Sequence, residues 1–486
     1  MGVKNYIVAI ELGSSKIAGA VGVESIEGMN VIAYANEPVN GFISKGVVKN
    51  IDETSICLSS LINKLEGQLD EVSIKKAYVA IGGMSMKSVK STVKIEFDEF
   101  TKITQNIIDD MAIENDNLFA VPEGYQKVQV ITQEYKMGGD SSINPIGMSV
   151  RQIEGNYINI IIKEQFVKQL EESFNLADIE IAKSFSTAKI NAEQILSDEE
   201  KRDGCALVDI GAETTTVSIF SNNIMRKLSV IPLGGYNITR DFSAEHISMA
   251  DAETLKVHAG YNAERFESCI DKELRDNIIG ARMAEILQNV NHQIKRSGEN
   301  IACAVITGGG ARLKNIETLF VENMPGLRTR IATEPLIEFN SSIEPKFRKG
   351  EISSTLYGLL KNGKEGCCQE LPPTPPATMQ DMFEEKQPEV KPVVEQSQPV
   401  VKEEGKAPIV VTATAPETKT ITEEKEEKKA PEKKTEKEKS KSKGRTFGLF
   451  GDLFGNLGAT LKQGAKDIIE NATREEEDYN EEDNEL

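Results

Sequence analysis

Glu11 and Asp209 occupy matching places in two similar stretches. "VAIELGSSKIAGAVG" begins at Val8 and "ALVDIGAETTTVSIF" at Ala206. Each reads as an apolar strand, an acid, one residue, a glycine, a small polar cluster and a second apolar strand. A glycine at a hairpin tip permits positive φ and close approach of a ligand, and consecutive N–H groups there can form an anion-binding nest. Ser14, Ser15, Thr214 and Thr215 add hydroxyls. Either hairpin alone is an ordinary turn. The pair predicts two loops that grip a polyphosphate from opposite sides. A carboxylate beside phosphate is repelled unless a cation intervenes, and Mg²⁺ takes one or two carboxylates plus phosphate oxygens. Glu11 and Asp209 are therefore the candidate metal residues, with a metal nucleotide as the ligand.

"VITGGGARL" supplies a third glycine turn. Gly308, Gly309 and Gly310 offer a face free of side chains against which a nucleoside could lie, and the following helix N-terminus favours anionic groups. Neither a GxxxxGK[ST] loop nor a strand–GxGxxG–helix fingerprint occurs. Taken alone, a triple glycine is a generic strand-to-helix turn.

Positioning these turns requires alternating strands and helices, hence an α/β fold. Strands are expected in "SVKSTVKIEF", "QKVQVITQEY" and "NYINIIIK" around a helix near 104–117, making 84–163 a small inserted α/β unit. Phe166, Leu170 and Phe174 recur at helical spacing, and "DAETLKVHAG" and "ELRDNIIGARMAEILQNVNHQIKRSG" also read as helices. Beyond residue 363 Pro, Glu and Lys dominate, so 364–443 is expected to be a disordered linker; a charged helix at 422–442 is the alternative there.

The 486 residues exceed one hydrophobic core and imply two or three domains. A formal charge of −20 argues against sequence-independent nucleic-acid binding. Six cysteines without a CxxC pair suggest a reducing compartment, with Cys367 and Cys368 in a polar tail; three histidines lack metal spacing. Glu11 interrupts the first apolar stretch before a signal sequence is complete, and no run is long enough to span a membrane. The expectation is a soluble, cytoplasmic body.

The far end is different. Phe447, Phe450, Phe454, Leu457, Leu461, Ala465 and Ile468 fall at spacings of three and four, with Leu453 beside them and Lys462 and Lys466 flanking. An isolated apolar face needs a partner. An interfacial membrane helix at 444–470 is expected; docking onto the globular part or into a protein groove are the alternatives. Gly448, Gly451, Gly455 and Gly458 each cost about 1 kcal/mol of helix stability, so one copy should bind weakly and a polymer firmly through avidity.

The order "IELGSSK", "VDIGAETT", "IPLGGYNIT", "DAETLKVHAG", "VITGGGARL" and "ISSTLYGLL" resembles the actin-like ATPase superfamily. Within it, "KGVVKNID", "QEYKMGG…NPIGMSVRQIEGNYINII" and the C-terminal end resemble the FtsA family of bacterial cell-division proteins. The resemblance covers about 3–362 and the terminal segment. It implies duplicated actin-like (ribonuclease H-like) domains around a nucleotide cleft holding ATP and Mg²⁺. The expected division is 1–83, first domain; 84–163, insert; 164–182, return of the first domain; 183–344, second domain, with 238–300 its small subdomain. A helix at 345–363 returns to the first domain, followed by the linker, the helix at 444–470 and an acidic tail at 471–486.

The resemblance assigns Gly13, Ser14, Ser15 and Lys16 to the first phosphate loop, and Gly211, Thr214 and Thr215 to the second, with Asp209 on the Mg²⁺ side. Gly234 and Gly235 form the next turn, Glu253 and Lys256 contact ribose, and Gly308–Gly310 hold adenosine. The plain reading of Glu253 and Lys256 is a surface ion pair. The implied partners are the FtsZ C-terminal peptide (at the small subdomain), other copies of the chain, membrane lipid and divisome proteins, without nucleic acid. The implied place is the cytoplasmic face of the inner membrane at the division site, as a peripheral protein. Nucleotide would act as an assembly switch and hydrolysis would be slow. A small-molecule kinase of the same superfold and a pilus-assembly scaffold of the FtsA-like group are the rival readings. Ala212 and Glu213 stand where the family usually has glycines, Glu11 is longer than actin's Asp, 261–273 looks shortened, and the acidic tail departs from the family habit. For the insert, the family implies self-association and division-protein contacts; the residues alone equally allow an insertion with no fixed role.

Overall fold

A computed structural model describes residues 5–26, 28–69, 72–258, 270–313, 316–332 and 352–370. The chain opens with β1 (Tyr6–Leu12), β2 (Lys16–Ser25) and β3 (Gly28–Pro38), an antiparallel meander. A short hairpin follows, β4 (Ile43–Ser44) and β5 (Val47–Val48). Next comes α1 (Ile51–Glu66), capped by Asn50, whose Oδ1 accepts from Glu53 N at 3.2 Å. Leu58, Leu61, Ile62 and Leu65 fall on one face of this helix and are buried against the sheet. Burial of each large apolar side chain contributes about 1.5–3 kcal/mol. After β6 (Val72–Ile74), β7 (Lys76–Ile81) pairs parallel to β1.

The insert comprises β8 (Lys87–Lys102), α2 (Gln105–Leu118), β9 (Tyr125–Met137), β10 (Asp140–Ser142) and β11 (Ser149–Lys163). Its core packs Val93, Met111, Tyr135, Ile153 and Tyr157. The chain returns through α3 (Glu164–Leu176) to β12 (Glu180–Ser186), parallel to β7, completing a sheet of order β12-β7-β1-β2-β3. The expected boundary at 183 is therefore corrected: β12 stays in the first sheet through Ser186, because its apolar edge pairs with β7.

α4 (Thr187–Ile195) and α5 (Asp198–Asp203) lead into a second copy of the same plan. β13 (Cys205–Ile210), β14 (Thr215–Ser221) and β15 (Ile224–Ile231) form a meander, followed by α6 (Gly235–Ala244), α7 (Met249–His258) and α8 (Lys272–Arg296). β16 (Cys303–Thr307) lies parallel to β13, and α9 (Ile316–Asn323) leads to β17 (Arg328–Ile331). The order β15-β14-β13-β16-β17 repeats β3-β2-β1-β7-β12. Alternation along β13 explains its place between layers. Cys205 and Leu207 enter a core shared with the first lobe, whereas Val208 and Ile210 pack with Ile238, Phe242, Met283 and Leu287.

The insert also touches the second lobe. Ser229 of β15 pairs with Lys87 of β8, which joins the insert's strands to the second sheet. Ser88 Oγ donates to Leu228 O at 3.3 Å, and Leu228 N donates back at 2.8 Å.

α10 (Ser354–Asn362) packs on β1, β2 and α4. β18 (Cys368–Glu370) pairs with β6. The linker start expected at 364 is thus displaced past residue 370. Cys367 is 1 % exposed and its N–H donates to Tyr6 O at 2.8 Å, so this thiol is a core group and not part of a polar tail. The linker beyond 370, the amphipathic segment with Phe447, Phe450, Leu453, Phe454, Leu457, Leu461 and Ile468, the acidic tail, and 261–269 lie outside the described residues. No helix among the described residues is long and apolar enough to cross a membrane.

Candidate functional site

The two hairpins have the same geometry. Gly13 N donates to Lys16 O at 3.0 Å, and Gly211 N donates to Thr214 O at 2.8 Å. Each four-residue tip sits between paired strand ends, Leu12 with Ile17 and Ile210 with Thr215. Glu11 lies beside Ala80 on the parallel neighbour β7, and Asp209 beside Thr307 on β16. A glycine turn follows each neighbouring strand, Gly82–Gly83 in one lobe and Gly308–Gly310 in the other.

The acids converge at the cleft floor. Burial first, then the negative charge of Glu11, push the Asp209 carboxyl from 3.8 up to about 6, opposed by a hydrogen bond from Asn191. Asn191 Nδ2 donates to Asp209 Oδ2 at 2.9 Å, and Asn191 Oδ1 accepts from Thr355 Oγ1 at 2.9 Å. Glu11 Oε2 accepts from Ser353 Oγ at 2.5 Å, and Ser353 caps α10. Two mutually repelling carboxylates, without a cationic side chain in these bonds, suit a divalent cation shared with phosphate oxygens. No group of three or more metal-ligating side chains occurs among the described residues, so a cation here would draw the rest of its shell from water and ligand.

Gly308 has φ 85° and separates the cleft floor from the third turn. A Cβ there would lie 2.3 Å from Asp209 Oδ1 and 2.5 Å from Ile210 O. Gly309 is exposed with open space before it, whereas Gly310 is buried against the Ile210 side chain. The close approach of Ile210 leaves no room for a side chain at Gly310. Gly309 and Gly310 open a 3₁₀ turn, Gly309–Arg312, and α9 follows from Ile316.

Gly234 approaches the second tip closely, since a Cβ there would stand 2.6 Å from Gly211 O. Gly235 N donates to Gly211 O at 2.9 Å, and Tyr236 N to Ala212 O at 2.6 Å. These glycines brace the loop from behind. Thr215 is fully buried and its hydroxyl donates to Leu233 O at 2.8 Å. Its strand position turns the hydroxyl inward, to this brace. Ser15 and Lys16 are exposed at the first tip, Thr214 is half-buried at the second, and Ser14 Oγ accepts from Gly46 N at 2.9 Å.

Lys256 Nζ reaches Glu253 Oε2 at 2.7 Å, Thr239 Oγ1 at 3.0 Å and Gly235 O at 3.3 Å. The Glu253–Lys256 pair thus joins α7 to the base of α6 beside the brace turn. Asn191, Ser353, Thr355 and Lys45 escaped sequence reasoning. Only "ISSTLYGLL" carried a signal, as an element in the right order without a role for its hydroxyls.

Comparison with known proteins finds one recurring likeness. Residues 206–350 match the model for "Cell division protein FtsA", and residues 83–161 match that for the SHS2 domain inserted in FtsA. The chain is similar to FtsA over both segments. An FtsA from Porphyromonas gingivalis is 29% identical over 332 residues, covering 63% of this chain and 68% of the relative. The FtsA of Escherichia coli K12 is 23% identical over 391 residues, covering 74% and 91%. A solved PilM–PilN type IV pilus biogenesis complex aligns with TM-score 0.52 and 14% identity over 73% of this chain and 97% of that one, a likeness of fold alone. The fold is actin-like with an inserted subdomain, and the similarity to these cell-division proteins supports a role in cell division.

Proposed function

We propose that this FtsA-like chain binds ATP with Mg²⁺ between its two hairpin tips and uses the nucleotide as a switch for self-assembly. The assembled chains tether FtsZ filaments to the inner face of the cytoplasmic membrane and recruit later division proteins. The observation that carries this reading is the duplicated hairpin pair, with Glu11 and Asp209 brought together at one cleft floor and Asp209 raised to about 6. The cation would supply charge neutralisation between carboxylates and phosphates. Residues of the chain do the rest. Exposed Ser15 and Lys16 and the Ala212–Thr214 backbone hold phosphate, Glu253 and Lys256 orient the ribose, and Gly308–Gly309 leave room for the base.

The amphipathic segment at 444–470 provides the membrane contact, weak in one copy and firm in a polymer. Calorimetry of the full chain with ATP and Mg²⁺ tests the cleft. Liposome co-sedimentation, with and without ATP, of the full chain against one ending at Lys443 tests the tether. ATP-dependent pelleting only of the full chain is expected; pelleting of neither removes the tethering reading.

A further inference from the structure

We infer that Glu213 is a cross-cleft strap: its carboxylate fastens the second hairpin tip to the first lobe and governs how slowly the cleft releases its ligand. The inference rests on the nucleotide reading of the cleft and adds a control on it.

Glu213 is the third residue of its tip, the place held by Ser15 in the first. Its side chain does not point idly into solvent. Glu213 Oε2 accepts from Lys45 N at 2.5 Å in a part-buried setting, across a sequence separation of 168 residues. Lys45 and Gly46 form the turn between β4 and β5, with φ of 52° and 70°. Two successive left-handed residues aim their N–H groups outward. The first amide goes to Glu213 of the second lobe, and the next goes to Ser14 Oγ of the first tip at 2.9 Å. One two-residue turn therefore bolts both hairpin tips. Its carbonyl side is used too: Lys45 O accepts from Met84 N at 2.9 Å, where the chain leaves for the insert.

A hydrogen bond to an ionised acceptor is stronger than a neutral one. It joins the two lobes at the hairpin tips, while Asn191 and Ser353 bond the acids at the hairpin bases. It also accounts for a glutamate at a phosphate turn, where its charge would otherwise oppose an anionic ligand.

Two measurements on the full chain test this. Amide hydrogen exchange in the nucleotide-free protein reads the strap directly. Lys45 N–H should be protected in the parent chain and in Glu213→Gln, which keeps an acceptor oxygen, and should lose protection in Glu213→Ala. Dissociation of a fluorescent ATP analogue with Mg²⁺ reads the consequence: Glu213→Ala should release it about tenfold faster or more, from the strength of a hydrogen bond to a charged group, with Glu213→Gln between. Tighter retention by both variants would mean that Glu213 acts by charge repulsion and would overturn the strap. Unchanged Lys45 exchange in Glu213→Ala would overturn it as well. If the parent chain takes up no nucleotide, the reading of the cleft fails, while the exchange at Lys45 still judges the strap.

Discussion

Arg226 of the second lobe forks onto Glu134 of the insert, Nη1 to Oε1 at 3.2 Å and Nη2 to Oε2 at 3.4 Å. Their side chains are only 12% and 17% exposed. Beside them Gln133 Nε2 donates to Met225 O at 2.8 Å. The insert leaves and re-enters the chain in the first lobe, yet it is fastened to the second.

Removing one member of this pair leaves a poorly solvated charge. Glu134→Ala or Arg226→Ala should each destabilise the folded chain by roughly 3 kcal/mol, and the double variant by less than the sum of the two. A double-mutant cycle by chemical denaturation checks this. Amide exchange should also rise at Ser88 and Leu228, where β8 meets β15.

Asp209 should make ligand-free stability depend on pH in an unusual sense. Its folded value, about 6, lies above the ordinary 3.8. The group therefore favours the fold fully below its unfolded value and loses that contribution as pH rises through about 6. Asp209→Asn should raise stability at about pH 7.5 by on the order of 2 kcal/mol and leave it little changed near pH 4. Melting temperatures of both chains across that range test the difference. A proton competes with a cation for this carboxylate, so Mg²⁺-dependent ATP affinity should fall as pH drops below about 6, a fall that calorimetry can follow.

Two neighbouring glycines should respond oppositely. Gly308→Ala places a methyl against Asp209 Oδ1 and Ile210 O at positive φ; a loss of about 2–4 kcal/mol is expected. Gly309 faces open space. Gly309→Ala should change stability by less than about 1 kcal/mol while weakening ATP binding, since its methyl enters the face expected to receive the nucleoside. Denaturation and nucleotide titration of both variants separate the two effects.

β18 predicts where the globular part can be cut. A chain ending at Glu370 keeps Cys367 buried and β6 paired; one ending at Gly363 loses both. The shorter chain should be less stable by about 2 kcal/mol or more, from the apolar burial given up, with faster proteolysis near Val72–Ile74. Thermal melts and timed digestion provide the check.

Local chemistry made the hairpins legible. A glycine-tipped polar cluster between two apolar runs can fold into little else, and the two-residue period placed Glu11 and Asp209 beside their tips. The family resemblance rested on the order of such segments, which survives as text. Direction and partnership were another matter. Thr214 and Thr215 look alike in the sequence, yet Thr215 turns inward to Leu233 because adjacent strand residues face opposite sides. Asn191 and Thr355 meet at Asp209 only after α4 and α10 pack together. Glu213 reads as an intrusive charge until the fold brings Lys45 to it across 168 residues. Sequence by itself determined the repeated turn-forming plan and the acids on it, because turn and strand preferences act over a few residues. Tertiary structure alone decided which hydroxyls brace, which carboxylate straps the cleft and which lobe holds the insert, because those bonds join segments whose meeting depends on how whole layers pack.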